Sequence, residues 1–133
     1  KELMLNEGTD VTIIATGHLV WKAIEALEVL QQKNISAELI NIHTIKPLDD
    51  DAILKSVSKT KCVVTAEEHQ MNGGLGESVS QLLSRNLPTP QEFVGVNDSF
   101  GESGTPDELM KKYGLDALHI AAAAQRAIGR KRN

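Results

Sequence analysis

This chain contains four runs of apolar and β-branched residues, and these runs predict buried strands. They are Val11–Thr16, Ala37–Ile42, Cys62–Ala66 and Glu92–Val96. Most of these runs are continuously apolar rather than alternating, which is typical of parallel strands that are covered on both faces. Glu2–Leu5, closed by a turn at Glu7-Gly8, is a candidate for a short edge strand.

Helical spacing fills the segments between these runs. One apolar face extends from His18 to about Lys33 and comprises Val20, Ala23, Ile24, Leu27 and Leu30. Asp49, followed by two more aspartates, predicts the N-cap and the acidic first turn of a second helix. A third helix follows a glycine cluster and is expected to end before Pro88.

The last part of the chain predicts two helices separated by a glycine. Thr105 has the position of an N-cap, with Pro106 at the first helical position. That helix is expected to end near Tyr113-Gly114, because glycine is favoured just past a helix end. Asp116 is then expected to cap a final helix.

The alternation of strands and helices predicts a single α/β domain over residues 1–133. Right-handed crossovers place the helices on both faces of a mostly parallel sheet, which gives a three-layer α/β/α architecture. No internal repeat, low-complexity tract or linker divides the chain.

Composition, charge and the lengths of the apolar runs limit the partners that the chain is expected to have. The hydrophobic content of 41% and the charged content of 24% are ordinary for a globular domain. The formal net charge is −4, and the concentrated positive charge falls at the end of a predicted helix, so no nucleic-acid partner is expected. No apolar run approaches the length that spans a bilayer, so no membrane partner is expected either.

Cys62 is the sole cysteine, so no disulfide can form within the chain. Its place in an apolar run predicts a small buried hydrophobe, which suits a reducing, cytoplasmic location. The chain opens on Lys1 rather than Met, and we expect a fragment of a longer protein.

The stretch Cys62–Glu77 concentrates the residues that could carry chemistry. Its glycines, Gly73, Gly74 and Gly76, form GGxG rather than the GxGxxG of dinucleotide-binding folds, and the phosphate-binding lysine of a P-loop is missing. Glycines before a helix can offer N–H groups to an anion. They equally serve a tight strand-to-helix turn, which is the interpretation we favour.

Glu67, Glu68 and His69 have the residue types of an acid/base set. Neighbours at a strand end point to opposite sides, and no Ser or Cys nucleophile stands nearby, so a hydrolase-like enzyme is a minor alternative. We favour one glutamate capping the glycine turn while the others make contacts across a domain interface. A zinc site of His18, His43 and His69 is a further alternative, although no pair of them has HxH or HxxxH spacing.

Several motifs resemble those of one enzyme family. Lys46-Pro47-Leu48-Asp49, Glu67-Glu68-His69, Gly73-Gly74-Leu75-Gly76-Glu77 and the ending GTPDELMKKYGLD follow one another as in the C-terminal domain of transketolase and its thiamine-diphosphate-dependent relatives. The resemblance covers nearly the whole chain. It is closest to transketolase itself, with deoxyxylulose-phosphate synthase and the β-subunits of 2-oxoacid dehydrogenases as the alternative branches.

The resemblance implies a mixed sheet of five strands whose short first strand is antiparallel. It also implies that thiamine diphosphate and a divalent metal, Mg, bind elsewhere in the complete enzyme. The GDG motif that holds the diphosphate is absent from this sequence, so no catalytic, cofactor-binding or metal-binding residue is carried over to this chain. The expected activity of the whole enzyme is transfer of a two-carbon ketol unit between sugar phosphates, and the isolated chain is expected to be inactive.

The partners implied by the resemblance are the N-terminal cofactor-binding and pyrimidine-binding domains of the same enzyme, which is expected to be a homodimer. The candidate contact surface comprises His43, Lys46, Glu67, Glu68, His69, Gly73, Gly74 and Gly76. The alternative of a different class is a stand-alone regulatory module that holds an anion or nucleotide at the glycine turn.

Overall fold

The computed structural model describes residues 2–16, 19–42, 48–68, 74–96 and 106–131. Five strands and four helices are present in this part of the chain. They are β1 (Glu2–Asn6), β2 (Val11–Thr16), α1 (Val20–Gln31), β3 (Ala37–Ile42), α2 (Asp50–Thr60), β4 (Val63–Glu68), α3 (Leu75–Asn86), β5 (Gln91–Val96) and α4 (Pro106–Gly129).

The strands form one mixed sheet in the order β1-β3-β2-β4-β5. β1 pairs antiparallel with β3, and the other pairings are parallel. This confirms both the α/β class and the antiparallel edge strand at Glu2–Leu5. β1 and β5 are the two edges, and a register shift between Met4 and Asn6 interrupts the pairing of β1.

Two hydrophobic clusters fill the spaces between the sheet and its helices, as the three-layer prediction requires. One cluster joins α1 and α4 to one face of the sheet, and the other joins α2 and α3 to the opposite face. Alternate residues of the inner strands β2, β3 and β4 supply the two clusters, as with Ile13 and Ile14 of β2. Burial on both faces explains why the strands are continuously apolar.

One exception to apolar packing is a group of hydroxyls between β2 and α2. Thr12 Oγ1 lies 2.8 Å from Ser56 Oγ and 2.6 Å from Thr60 Oγ1. Thr60 Oγ1 in turn donates to the carbonyl of Cys62. These buried polar atoms satisfy one another, so the cost of desolvating them is offset by hydrogen bonds.

Gly8 marks a close approach between the β1–β2 turn and β3. A Cβ at this position would lie 2.3 Å from the carbonyl carbon of Ala37 and 2.5 Å from its oxygen. Gly8 N–H donates to Glu38 Oε1 at 3.0 Å, and Lys59 makes an ion pair with the same oxygen. The glycine therefore lets the turn reach a buried carboxylate of the neighbouring strand.

The second helix begins as its sequence predicts. The Asp49 carboxylate accepts a hydrogen bond from Ala52 N–H at 3.2 Å, and Asp50 and Asp51 occupy the first turn. Lys61 ends the helix in a left-handed conformation with φ of 70°. The interpretation of the three aspartates as a cap and an acidic first turn is confirmed.

One sequence-based expectation about helices is wrong. α4 runs without interruption through Gly114, so Asp116 does not cap a final helix. α4 packs on α1, and small residues of both belong to one core cluster: Ala23, Ala26, Ala117, Ala121 and Ala124. Burial along this interface stabilises the helix by more than the roughly 1 kcal/mol that an interior glycine costs. The predicted apolar face of α1 is confirmed at Ala23 and Leu30, which are buried, and at Val20 and Leu27, which pack against the same cluster, whereas Ile24 is exposed.

Cys62 is fully buried, as the sequence predicts. Burial raises the pKa of its thiol to about 11, so the side chain stays protonated at neutral pH. No helix in the described part of the chain combines the length and the apolar character that crossing a membrane requires.

Candidate functional site

The candidate site lies where β4 ends and α3 begins, at the carboxyl edge of the parallel strands. β4 runs on through both glutamates of the EEH sequence, so Glu67 and Glu68 are strand residues. Successive side chains of a strand point to opposite faces. Glu67 accordingly faces α3, on the opposite face of the sheet from Glu68.

Glu67 caps the N-terminus of α3. Its Oε1 accepts a hydrogen bond from Leu75 N–H at 3.1 Å, and its Oε2 accepts one from Gly76 N–H at 2.8 Å. Gly74, at the N-cap position, has no side chain to make this contact. A carboxylate at this position also complements the positive end of the helix dipole. The prediction that one glutamate caps the glycine turn is confirmed.

Gly76 is required by the close packing around this cap. A Cβ on Gly76 would lie 2.6 Å from Cδ2 of Phe93 and 3.1 Å from Glu67 Oε2. Gln91 reaches in from β5, and its Nε2 donates to the Gly76 carbonyl at 3.0 Å and to Thr65 Oγ1 at 3.1 Å. The glycine therefore serves shape, since it lets a helix terminus sit against a carboxylate and an aromatic ring.

The arrangement leaves the α3 N-terminus already occupied by an anion. The two N–H groups that a phosphate would use are bonded to Glu67, which is 8% exposed. An external anion would have to displace a buried carboxylate that belongs to the fold. The geometry therefore favours a structural role for the glycine turn over an anion-binding role.

A second polar feature lies on the other face of the sheet, between α1 and α4. Lys22 is 0% exposed, and its Nζ lies 3.0 Å from Asp116 Oδ2. Asp116 Oδ2 has no hydrogen-bond partner within the described residues, so this contact is an ion pair without hydrogen-bond alignment. Lys22 Nζ also lies 5.4 Å from the centre of the Trp21 ring, within the range of a cation–π contact.

The Lys22–Asp116 pair was missed at the level of sequence. The available signal was the position of Lys22, one residue before Ala23 on a helix whose small residues pack inward. The pairing of Lys22 with a residue 94 positions later has no local signature. Phe93 was missed as well, because an aromatic residue in a strand is usually part of the core.

Four of the eight predicted contact residues lie within the described structure. These are Glu67, Glu68, Gly74 and Gly76. The other four, His43, Lys46, His69 and Gly73, lie outside the described residues. His18, a member of the alternative zinc set with His43 and His69, lies outside them too.

A metal or the thiamine cofactor finds no matching donor set in the part of the chain that the structure describes. No cluster of three or more His, Cys, Asp or Glu side chains is placed there to hold a metal ion. The backbone N–H groups of Leu75 and Gly76 at the start of α3 donate to Glu67. The described residues therefore do not fit a diphosphate with its metal.

The family of the chain follows from comparison with known proteins. Residues 1–120 match the model of the transketolase C-terminal domain. The chain belongs to this family. The matched range includes Glu67 and the glycine turn, whose geometry is described above.

Individual relatives agree with this assignment. The chain is 47% identical over 131 residues to the 6-deoxy-6-sulfo-D-fructose transketolase subunit SqwH of Clostridium sp. (strain MSTE9). This match covers 98% of the chain and 41% of the relative. The chain is 40% identical over 130 residues to 1-deoxy-D-xylulose-5-phosphate synthase 1 of Geobacter sulfurreducens, covering 96% of this chain and 20% of that enzyme.

A solved structure described as a split gene transketolase, an inactive β4 tetramer, superposes with a TM-score of 0.84 at 45% identity. The match covers 99% of this chain and 43% of that one. This chain thus spans less than half the length of these relatives.

Proposed function

We propose that this chain is the C-terminal section of a transketolase and forms one domain that docks on the cofactor-binding sections of the enzyme. The observation that carries the proposal is the double hydrogen bond from the α3 N-terminus to Glu67. Glu67, one of the candidates for chemistry, instead holds the end of β4 to the start of α3. The domain would contact its partners through the surface at the carboxyl edge of the sheet.

The complete enzyme would transfer a two-carbon ketol unit between sugar phosphates. The 47% identity to a transketolase subunit supports a transketolase over the other branches, and the 40% identity to a deoxyxylulose-phosphate synthase keeps that branch as the alternative. Thiamine diphosphate and its metal would be held by the other sections, because the described residues of this chain do not fit them.

The partners would be the cofactor-binding and pyrimidine-binding sections and a second copy of the enzyme. The proposed contact surface includes Glu68 and Gly74 of the described structure, with the buried Glu67 and Gly76 fixing the position of the turn. The relative described as a β4 tetramer supports self-association of chains of this kind. A buried, protonated Cys62 supports the cytoplasm as the location.

A stand-alone anion-binding module is the second candidate. It rests on the glycine turn alone, and that turn already has its carboxylate partner. Titration with common nucleotides and sugar phosphates separates the two functions. Saturable binding that Glu67→Gln alters would favour the module.

Reconstitution of ketol transfer tests the proposal. Activity is measured for the cofactor-binding and pyrimidine-binding sections alone, for this chain alone, and for the mixture. We expect none from this chain alone and a gain on mixing. The Gly8→Ala variant of this chain is a matched control, since its turn cannot close on Ala37 and it should give no gain. Ketol transfer by this chain alone, or an unchanged rate on mixing, would contradict the proposal.

A further inference from the structure

The two edges of the sheet differ in how well they are protected from pairing with another chain. β1 carries a register shift between Met4 and Asn6 and is followed by the charged Glu7, and both features discourage edge pairing. β5 has neither a bulge nor a free charge. Its one carboxylate, Glu92, is bonded to Arg126 at 3.0 Å and to Arg130 at 2.6 Å.

The outward-facing backbone groups of β5 can be identified from its pairing with β4. Val63 N–H donates to the Pro90 carbonyl at 3.0 Å, and Val63 lies opposite Gln91. In a parallel ladder, bonding alternates along the strand, so Glu92 and Val94 turn their N–H and C=O groups toward β4. Gln91, Phe93 and Gly95 therefore turn theirs away from the sheet.

Gln91 is already engaged at this edge, because Arg130 Nη1 donates to its carbonyl at 3.1 Å. The outward-facing backbone groups of Phe93 and Gly95 are the ones left for pairing with another strand. The Phe93 side chain is 56% exposed, the largest exposed fraction of any large apolar residue in the described structure, and Gly95 is exposed as well. Both side-chain positions lie on the face of the sheet that α3 partly covers.

We propose that β5 pairs antiparallel with β5 of a second copy of this chain, in the register that places Phe93 opposite Gly95 of the other copy. This register uses the two residues whose outward backbone groups are free, and it leaves Gln91 with Arg130. Each residue of such a hydrogen-bonded pair donates one bond and accepts one. The inference rests on the self-association in the proposed function and names its surface.

The side chains of this pairing are self-complementary. Directly opposed residues of an antiparallel pair share a face of the sheet, so the Phe93 ring of each copy lies over the bare backbone of Gly95 in the other. An aromatic ring across from a glycine covers backbone that the glycine leaves open. On the other face, Val94 meets Val94 of the second copy, a favourable β-branched pair.

Position along the sheet favours a second copy over the other sections of the enzyme. Any preceding segment joins the domain at β1, which lies four strand spacings, roughly 19 Å, from β5. Pairing over so few residues buries little surface, so we expect a dissociation constant of micromolar order.

Sedimentation equilibrium of the chain and two lysine variants tests the surface. Phe93→Lys places a charge in the pairing, and we expect it to weaken the dimer by about tenfold or more. Leu118→Lys is the matched control, because Leu118 is 51% exposed and belongs to α4 rather than to the β5 edge. It should leave the dissociation constant unchanged. A monomeric wild type, or equal behaviour of the two variants, would overturn the proposal.

Cross-linking tests the register without relying on the lysine variants. Residues 94 of the two copies form a non-hydrogen-bonded pair with Cα atoms about 4.5 Å apart, which suits a disulfide. We expect Val94→Cys to give an oxidised dimer on a non-reducing gel, whereas Met4→Cys on the opposite edge does not. The buried Cys62 should not contribute. Cross-linking through Met4→Cys and not Val94→Cys would contradict the proposal.

The outcome can be separated from that of the proposed function. A chain that stays monomeric yet restores ketol transfer to the other sections overturns the β5 pairing alone. A chain that cross-links through Val94→Cys yet adds nothing to ketol transfer overturns the proposed function alone. If Phe93→Lys blocks assembly with the other sections and leaves self-association intact, β5 is a surface for those sections and the proposal is wrong.

Discussion

Gly76 donates its backbone N–H to the carboxylate of Glu67 at 2.8 Å, and this bond joins the end of β4 to the start of α3. The same carboxylate accepts from Leu75, so two of the N–H groups that a helix leaves unpaired at its start are satisfied by one side chain. The glutamate and the glycine depend on each other. A larger residue at position 76 would meet both Glu67 and Phe93.

Replacing Glu67 with alanine should destabilise the domain by about 2 kcal/mol, because it leaves two buried N–H groups without partners. The free energy of unfolding in urea is the measurement. Glu77→Ala is the control, since Glu77 lies exposed in the same first turn of α3. It should cost only about 0.5 kcal/mol through the helix dipole. Equal losses for the two variants would show that Glu67 contributes charge and not a cap.

Two glycines should respond in opposite ways to alanine. Gly8→Ala puts a methyl group 2.3 Å from the backbone of Ala37, which cannot move without breaking β3. We expect a loss of about 3 kcal/mol or more, or no folded protein. Gly129→Ala meets nothing within 4 Å at the end of α4 and should be neutral or slightly stabilising. Thermal denaturation of both variants checks the pair, and a mild Gly8→Ala would contradict the close approach.

Asp116→Asn separates the observed ion pair from the capping role that the sequence predicts. Asparagine caps a helix about as well as aspartate, so a capping residue would tolerate the change. A partner of the buried Lys22 would not, because the change removes this buried ion pair, and we expect a loss of about 3 kcal/mol in unfolding free energy.

The double variant Lys22→Met with Asp116→Leu is the control for this prediction. It removes both charges and should recover most of the stability, since a buried ion pair is often replaceable by apolar residues. If Asp116→Asn leaves the free energy of unfolding unchanged, and the double variant is no more stable than Asp116→Asn, the ion pair contributes no stability.

The buried Glu38 gives the domain a specific dependence on pH. Burial acts to raise the pKa of its carboxyl, but hydrogen bonds from Lys59, Ser56 and the Gly8 N–H, together with the charge of Lys59, outweigh it and hold the pKa below the usual range. The folded-state pKa is thus lower than the unfolded one. The ionised carboxylate contributes stability above the unfolded pKa and loses it as the pH falls through the folded pKa.

We therefore expect the stability difference between wild type and Glu38→Gln to be constant near neutral pH. It should shrink as the pH drops below about 4.3, the ordinary glutamate value. Urea unfolding as a function of pH provides the measurement. A difference that widens toward acid would mean that the folded-state pKa is raised.

Local patterns determined most of what the sequence could predict. Continuous apolar runs marked the strands, Asp49 marked a helix start, and the contrast between strand and glycine turn located the β4–α3 junction. The capping role of one glutamate also followed, because strand geometry sends neighbouring side chains to opposite faces.

Features that depend on distant packing were not predictable in this way. A glycine such as Gly114 is typical of a helix end, but α4 continues through it and packs on α1 and the sheet. The burial of Lys22 needs Asp116, and the exposure of Phe93 follows from its place on an edge strand. In each case tertiary contacts override a local preference.

Calorimetric titration of the isolated chain with thiamine diphosphate and Mg²⁺ tests most directly the claim that this section docks and does not hold the cofactor. We expect no saturable heat, because Glu67 occupies the α3 N-terminus and the described residues offer no donor set for a diphosphate and its metal. Saturable binding with micromolar affinity would contradict it.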